Sequence, residues 1–196
     1  KEGVSLPLHF EHAEGAPGWH GLIYTLIADA AVLGSLVFGA VYLWVLAPGW
    51  PPAAFAVVPP WTVAAAAVCW LVALAGTRWA RRALGAAPRG GGAMAGLALQ
   101  FSALAVLLWV VVRTLSGLPP GTVHAQSAVT AALLWYGAIH LGVALLMSGF
   151  LLVRWRSGFV SLRRTLEPRV VWLFGHYSLG STMFCMALAA VQGLQA

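Results

Sequence analysis

The chain has 196 residues, of which 61% are hydrophobic and only 8% are charged, and its formal net charge is +6. Soluble domains carry about 25% charged residues, so this composition excludes an ordinary soluble enzyme or binding module. The mean hydropathy of +0.86 is typical of an integral membrane protein. The positive charges fall between apolar segments, which argues against a nucleic-acid partner and for membrane topology.

Five apolar runs are each long enough for a membrane helix, which needs roughly 20 apolar residues. The predicted spans cover about 19–46, 61–84, 93–114, 128–153 and 170–192. Little of the chain lies between them. The sequence therefore predicts an all-α integral membrane protein, a bundle of five transmembrane helices, with an N-terminal tail over 1–18 and a single transmembrane domain over 19–196.

Arginines are concentrated in two of the four connections. Four lie near the connection between the second and third spans, and five near that between the fourth and fifth: Arg78, Arg81, Arg82 and Arg89, then Arg154, Arg156, Arg163, Arg164 and Arg169. The other two connections, 47–60 and 116–127, have no Lys, Arg, Asp or Glu. The positive-inside rule then predicts a cytoplasmic N-terminus and places Ala196 outside.

Asp29 is the only carboxylate within the apolar spans. A lone carboxylate at bilayer depth costs several kcal/mol unless it is paired, protonated or facing water. With a rise of ~1.5 Å per residue, Asp29 lies roughly 15 Å from the cytoplasmic end of its span, His140 about 20 Å and His176 only ~9 Å. These depths predict that Asp29 pairs with His140.

The same depths bear on haem or metal binding by this chain. A bis-histidine haem needs both imidazoles at nearly equal depth, and the offset near 10 Å between His140 and His176 disfavours it. Cys69 and Cys185 match no metal-ligand spacing and are interpreted as small apolar residues. The sequence predicts no metal site and no cofactor bound by this chain.

Three segments resemble subunit III of the haem–copper cytochrome c oxidases. They are the first span from Pro17 through Asp29 to the Trp-Pro-Pro motif at 50–52, the fourth span from Gly137 to Arg154, and the start of the fifth span at Trp172-Leu173-Phe174-Gly175-His176. In that family a buried acid in the first of these helices pairs with the histidine of the fourth-span helix. The family acid is usually Glu, whereas this chain has Asp29, and Leu179 stands where the family usually has Asp.

The resemblance covers essentially the whole chain and is closest to the shortened five-helix form, often fused behind subunit I. It implies a non-catalytic subunit of a proton-pumping terminal oxidase in the bacterial inner (plasma) membrane. Such a subunit has no redox centre or catalytic residue of its own. It packs beside catalytic subunit I and subunit II, holds phospholipid and supports proton uptake, while haem and copper lie in its partner.

Several residues near the predicted span ends are candidate lipid or subunit contacts: His176, Arg78, Arg154 and Trp172. For the buried acid–imidazole pair of Asp29 and His140, the hypothesis is a structural tie between the first and fourth spans that does not itself conduct protons. Two other functions stay open. One is an accessory subunit of a nitric oxide reductase or quinol oxidase, and the other is a small proton-coupled transporter.

Overall fold

The computed structural model describes residues 16–47, 50, 58–86, 91–159 and 166–193. Over these residues the chain forms five α-helices: α1 (Pro17–Leu46), α2 (Pro60–Ala86), α3 (Gly91–Ser116), α4 (Ala125–Arg156) and α5 (Leu166–Gly193). Each helix contains one predicted span and extends a few residues beyond it, so the all-α prediction is confirmed. Most of the predicted N-terminal tail, residues 1–15, lies outside the described residues.

Prolines begin two of the helices. Pro17 is the first residue of α1, and Pro60 is the first residue of α2. Proline suits this position because the first helical N–H has no partner within the helix and the ring presets the helical φ. At the start of α4 the ring nitrogen Nδ1 of His124 accepts a hydrogen bond from the backbone N–H of Gln126 at 3.0 Å, which caps the helix.

Among the described residues, four helices are long and apolar enough to cross a membrane: α1, α2 as far as Leu84, α3 and α4. The helix α5 is of similar length but is not among these four, and its polar side chains include His176, Tyr177 and Thr182. It also packs against all four other helices. A helix that faces protein on most sides can carry polar groups, because neighbouring helices supply their hydrogen-bond partners.

The helices α2 to α5 pack into one body with an apolar interior. Its largest fully buried side chains include Leu104, Leu107, Leu134, Leu141, Leu179 and Met186. The backbones of α2 and α3 approach each other closely at Gly76 and Gly96. A Cβ atom placed on Gly76 would lie 2.6 Å from the carbonyl oxygen of Gly96, so the two backbones touch without intervening side chains.

The helix α1 lies on the outside of this body and packs mainly against α4 and α5. Of its thirty residues only Ala40 is fully buried. Large apolar side chains on its other faces are exposed, including Tyr24, Ile27, Phe38 and Val45. An apolar surface of this extent is typical of a helix that faces lipid or another protein chain. The helix α1 is therefore held by contacts with α4 and α5 along one narrow face.

Candidate functional site

The carboxylate of Asp29 lies near the middle of α1 and contacts side chains of both α4 and α5. Its Oδ1 is 3.0 Å from Nε2 of His140 on α4. Its Oδ2 accepts a hydrogen bond of 2.6 Å from the hydroxyl of Tyr177 on α5, and another from the hydroxyl of Tyr136 on α4. Both carboxylate oxygens are therefore hydrogen bonded, and one acidic side chain joins three helices. We call these four residues the Asp29 cluster.

The hydrogen bonds of His140 define the position of one of its protons. Its Nδ1 is 2.7 Å from the backbone carbonyl oxygen of Tyr136. A carbonyl oxygen only accepts, so Nδ1 carries a hydrogen. The contact between Nε2 and Asp29 then requires one further proton, bound either to the imidazole or to the carboxyl group. In both arrangements the pair has no net charge. The free-energy cost of burying it in apolar surroundings is therefore lower than that of a single unpaired charge.

The local helix geometry aligns the α4 members of the cluster. Tyr136 and His140 are four residues apart, so they lie on the same face of α4, one turn from each other. Their ring centroids are 4.1 Å apart. The hydroxyl oxygens of Tyr136 and Tyr177 are 3.1 Å apart. Each phenol has a single hydrogen, which it donates to Oδ2 of Asp29, so the carboxylate links α4 to α5 at this point. The hydrogen-bond partners of Asp29 therefore lie on two helices, α4 and α5, that already contact each other.

An apolar stripe on α1 continues the attachment toward its C-terminal end. Leu33, Leu36 and Ala40 lie on the same side as Asp29 and pack in one cluster with Leu133 of α4 and Cys185 of α5. These positions recur at helical spacing, as expected for the buried face of a helix. The stripe is narrow, so the polar contacts of Asp29 are a large part of what orients α1.

A second polar contact holds the same end of α1. The side-chain amide of the buried Gln192 on α5 donates to the backbone carbonyl oxygen of Ala40 at 3.2 Å. The carbonyl oxygen of Ala40 has two lone pairs, so it can accept this bond in addition to its hydrogen bond within α1. The helix is therefore not disrupted. The helix α1 is therefore fastened at two levels, at Asp29 and at Ala40.

The Asp29 cluster is not sealed from its surroundings. The side chains of His140 and Asp29 keep 16% and 20% of their accessible surface. The cluster thus lies at the edge of the helix body, where α1 meets α4 and α5, and one side of it is open to lipid or to another chain. Chemically it can hold one proton between an imidazole and a carboxyl group and can fix a helix in place.

The predicted depths of Asp29 and His140 suggested that these residues pair. The structure places them in direct contact despite the short aspartate side chain. The depths did not identify Tyr136 or Tyr177 as further partners. A signal was present, because Tyr136 precedes His140 by one helical turn and a phenol in an apolar span needs a hydrogen-bond partner. Tyr177 follows His176 directly, and its role depends on the rotation of α5, which spacing alone does not define.

His176 belongs to a second polar cluster, between α2, α3 and α5, and not to the Asp29 cluster. Its Nε2 lies 3.1 Å from the hydroxyl of Thr77 on α2. That hydroxyl donates to the carbonyl oxygen of Ala73 at 2.9 Å and lies 3.4 Å from Oε1 of Gln100 on α3. Gln100 is fully buried. The two membrane histidines therefore have different partners, and sequence reasoning gave Gln100 no part in the site.

The three remaining candidate contacts lie in different surroundings. Arg78 is exposed on α2. Trp172 is only 7% exposed and packs in an apolar cluster with Trp155 and neighbouring side chains, so within this chain it is an interior residue. Arg154 forms a bidentate salt bridge with Glu167. Its Nε donates to Oε2 at 2.8 Å, and its Nη2 donates to Oε1 at 2.9 Å. Its charge is thereby matched within the chain, at the junction of α4 and α5.

Replacing Gln100 with leucine is expected to leave stability unchanged or to raise it by up to about 1 kcal/mol. Within the described residues Nε2 of Gln100 has no hydrogen-bond partner. Its Oε1 makes only the long contact to Thr77, whose hydroxyl keeps its bond to Ala73 after the change. Replacing an incompletely paired amide with an apolar group of similar size is close to neutral. Unfolding of the full chain in mixed detergent measures the difference.

The matched control is Gln192→Leu, because Gln192 makes a defined hydrogen bond to Ala40. This variant is expected to lose about 1 kcal/mol. If Gln100→Leu were the more damaging of the two, the amide of Gln100 would have a partner that the described contacts do not include.

Comparison with protein-family models gives no match to this chain, and comparison with curated proteins gives none either.

Proposed function

We propose that this chain is a non-catalytic, subunit III-like component of a proton-pumping haem–copper terminal oxidase. The observation that carries the proposal is the contact between Asp29 and His140. The resemblance implied an acid and a histidine paired between these two helices, and the two side chains meet at 3.0 Å. Over the described residues the chain also forms five helices, the number that the shortened form would have.

We propose further that α5 is a fifth membrane span. Its 28 residues correspond to about 42 Å of helix, more than the roughly 30 Å of a bilayer core. Several of its polar side chains have partners: Tyr177 bonds to Asp29, and the hydroxyls of Ser178 and Thr182 bond to carbonyl oxygens of α5 itself. Satisfied polar groups that face protein cost little at bilayer depth.

The proposed location is a bacterial inner membrane, and the positions of the arginines that the structure describes support a cytoplasmic N-terminus within it. Six lie in the later parts of α2 and α4 or at the start of α5, and therefore at one end of the bundle: Arg78, Arg81, Arg82, Arg154, Arg156 and Arg169. Arg113 alone lies at the other end. Under the positive-inside rule the arginine-rich end faces the cytoplasm, and α1 begins at that end.

In this function the chain holds a position beside its partners and carries out no chemistry of its own. The exposed apolar faces of α1 supply a surface for the catalytic subunit, separate or fused, for subunit II or for lipid. The Asp29 cluster fixes α1 against α4 and α5, so that this surface keeps its shape during turnover. The cluster is a structural tie in this proposal and not a proton conductor. Haem and copper belong to the partner subunit.

Purification of the full chain from its native membrane, followed by a reduced-minus-oxidised spectrum and metal analysis, tests the proposal. The expected result is copurification of haem a and copper with the chain. Recovery of haem b with non-haem iron would instead identify a nitric oxide reductase complex. A chain that purifies without haem and carries out proton-coupled uptake in liposomes would contradict the proposal and favour a transporter.

A further inference from the structure

Two of the four tyrosines in the chain donate to the same carboxylate oxygen. The hydroxyls of Tyr136 and Tyr177 both bond to Oδ2 of Asp29, and their oxygens are 3.1 Å apart. A tie between α1 and α4 needs only one such bond, and His140 already supplies it. The paired phenols therefore exceed what a purely structural tie requires.

A phenol that donates to a carboxylate is suited to oxidation by one electron. Loss of the electron makes the phenolic O–H strongly acidic, so the electron leaves readily only where a base takes the proton at the same time. Asp29 can act as this base when the proton that it shares with His140 lies on the imidazole. The hydroxyl of Tyr177 is 2.6 Å from the carboxylate oxygen, so this proton transfer needs no movement of a helix.

The other two tyrosines of the chain lack such an acceptor within its described part. Tyr24 and Tyr42 lie on the outer faces of α1, with 69% and 54% of their surface exposed. Neither hydroxyl has a hydrogen-bond partner among the described residues. The chain thus contains one pair of tyrosines beside a proton acceptor and a second pair that serves as an internal comparison.

The acid–imidazole pair is the more accessible part of the Asp29 cluster. The side chains of Asp29 and His140 keep 20% and 16% of their accessible surface, whereas Tyr136 is only 7% exposed. A reactive species dissolved among the acyl chains can therefore touch the group that holds the shared proton, with the phenols directly behind it. A lipid peroxyl radical is a species of this kind, because it becomes a hydroperoxide by gaining one electron and one proton.

We propose that the Asp29 cluster reduces lipid peroxyl radicals. One electron passes from a phenol, Tyr136 or Tyr177, to the peroxyl radical, and the phenolic proton moves to Oδ2 of Asp29. The acid–imidazole pair gives its shared proton to the reduced peroxyl oxygen. One phenolic O–H bond therefore breaks and one hydroperoxide O–H bond forms, while Asp29 and His140 again share a single proton.

The product within the chain is a neutral phenoxyl radical. The hydroxyl of the second tyrosine lies 3.1 Å from the phenoxyl oxygen and can turn to donate to it, which stabilises the radical. This activity is additional to the structural role of the cluster. It depends only on the membrane location of the chain and not on the oxidase proposal.

Electron paramagnetic resonance of the full chain tests the proposal. The chain is placed in nanodiscs of linoleoyl phosphatidylcholine, and a lipid-soluble azo compound generates peroxyl radicals under air. The expected result is a tyrosyl signal that narrows when the chain carries ring-deuterated tyrosine, which separates it from tryptophan radicals. Circular dichroism before the reaction verifies that each variant is folded.

Three variants distinguish a redox role from a structural one. Tyr136→Phe combined with Tyr177→Phe is expected to abolish the signal, whereas Tyr24→Phe combined with Tyr42→Phe is the matched control and is expected to leave it unchanged. Asp29→Asn keeps a hydrogen-bond acceptor but removes the base, because an amide oxygen does not take a proton at neutral pH. It is expected to slow the appearance of the signal about a hundredfold, the lower end of what a positioned base contributes.

Three results would overturn the proposal. They are the absence of a tyrosyl signal in the parent chain, a signal that persists without Tyr136 and Tyr177, and equal rates of its appearance in the parent chain and in Asp29→Asn. The last result would mean that the carboxylate holds the phenols in place without accepting their protons.

Discussion

Asp29→Ala is expected to destabilise the full chain by about 2–3 kcal/mol. The substitution removes three hydrogen bonds at once and leaves the hydroxyls of Tyr136 and Tyr177 and one nitrogen of His140 without their acceptor. Side-chain hydrogen bonds inside membranes contribute roughly 0.6 kcal/mol each, and unpaired polar groups add to the loss. Unfolding in mixed micelles with increasing SDS, followed by circular dichroism, gives the free-energy difference.

The conservative control is Asp29→Asn, which keeps one acceptor oxygen and a similar volume. It is expected to recover part of the loss, because an amide oxygen in the place of Oδ2 can still accept from Tyr136 and Tyr177. In the oxidase complex proposed above, Asp29→Ala is expected to allow assembly but to speed the loss of activity over repeated turnovers. A complex with Asp29→Ala that assembles normally and stays active for as long as the parent would contradict the proposed role of this cluster.

Gly96→Ala is expected to cost about 3 kcal/mol, because it separates α2 from α3 where they are closest. A Cβ atom at residue 96 would lie 2.6 Å from the backbone nitrogen of Ala80 and 2.8 Å from its Cβ. Neither atom belongs to a flexible side chain, so the clash is relieved only by moving a helix. Overpacking of this kind typically costs 1–3 kcal/mol. The same SDS unfolding experiment measures the effect.

Gly34→Ala on α1 is the matched control, since nothing lies within 4 Å of a Cβ atom placed there. Alanine is the better helix former, so this variant is expected to be neutral or up to about 1 kcal/mol more stable. Equal losses for Gly96→Ala and Gly34→Ala would contradict the close approach of α2 and α3.

The helices themselves could be predicted from local sequence features. Apolar runs of sufficient length defined all five. The central position of α5 could not be predicted in this way. Its polar residues lower its hydropathy, and only the packing of α5 against every other helix explains why it tolerates them. Tertiary packing determines which helix lies in the middle of a bundle, and the length of an apolar run does not predict it.

The candidate site could be predicted in part. Depth along a helix follows from residue counting, and counting was enough to match Asp29 with His140. Rotation about the helix axis does not follow from counting. For that reason Tyr177 was not expected beside Asp29, and Gln100 was not expected beside Thr77 and His176. The interior position of Trp172 was missed for the same reason, since a tryptophan near a span end can face either lipid or protein.

A double-mutant cycle on Asp29 and His140 in the full chain tests most directly whether their contact fastens α1 to α4. Asp29→Ala, His140→Ala and the double variant are unfolded under identical conditions, with Asp29→Ala and Arg81→Ala as a distant control pair. The structure predicts that the double variant loses about 1 kcal/mol less than the sum of the two single losses, because each single change already breaks the shared contact. Strictly additive losses for Asp29 and His140, equal to those of the control pair, would contradict it.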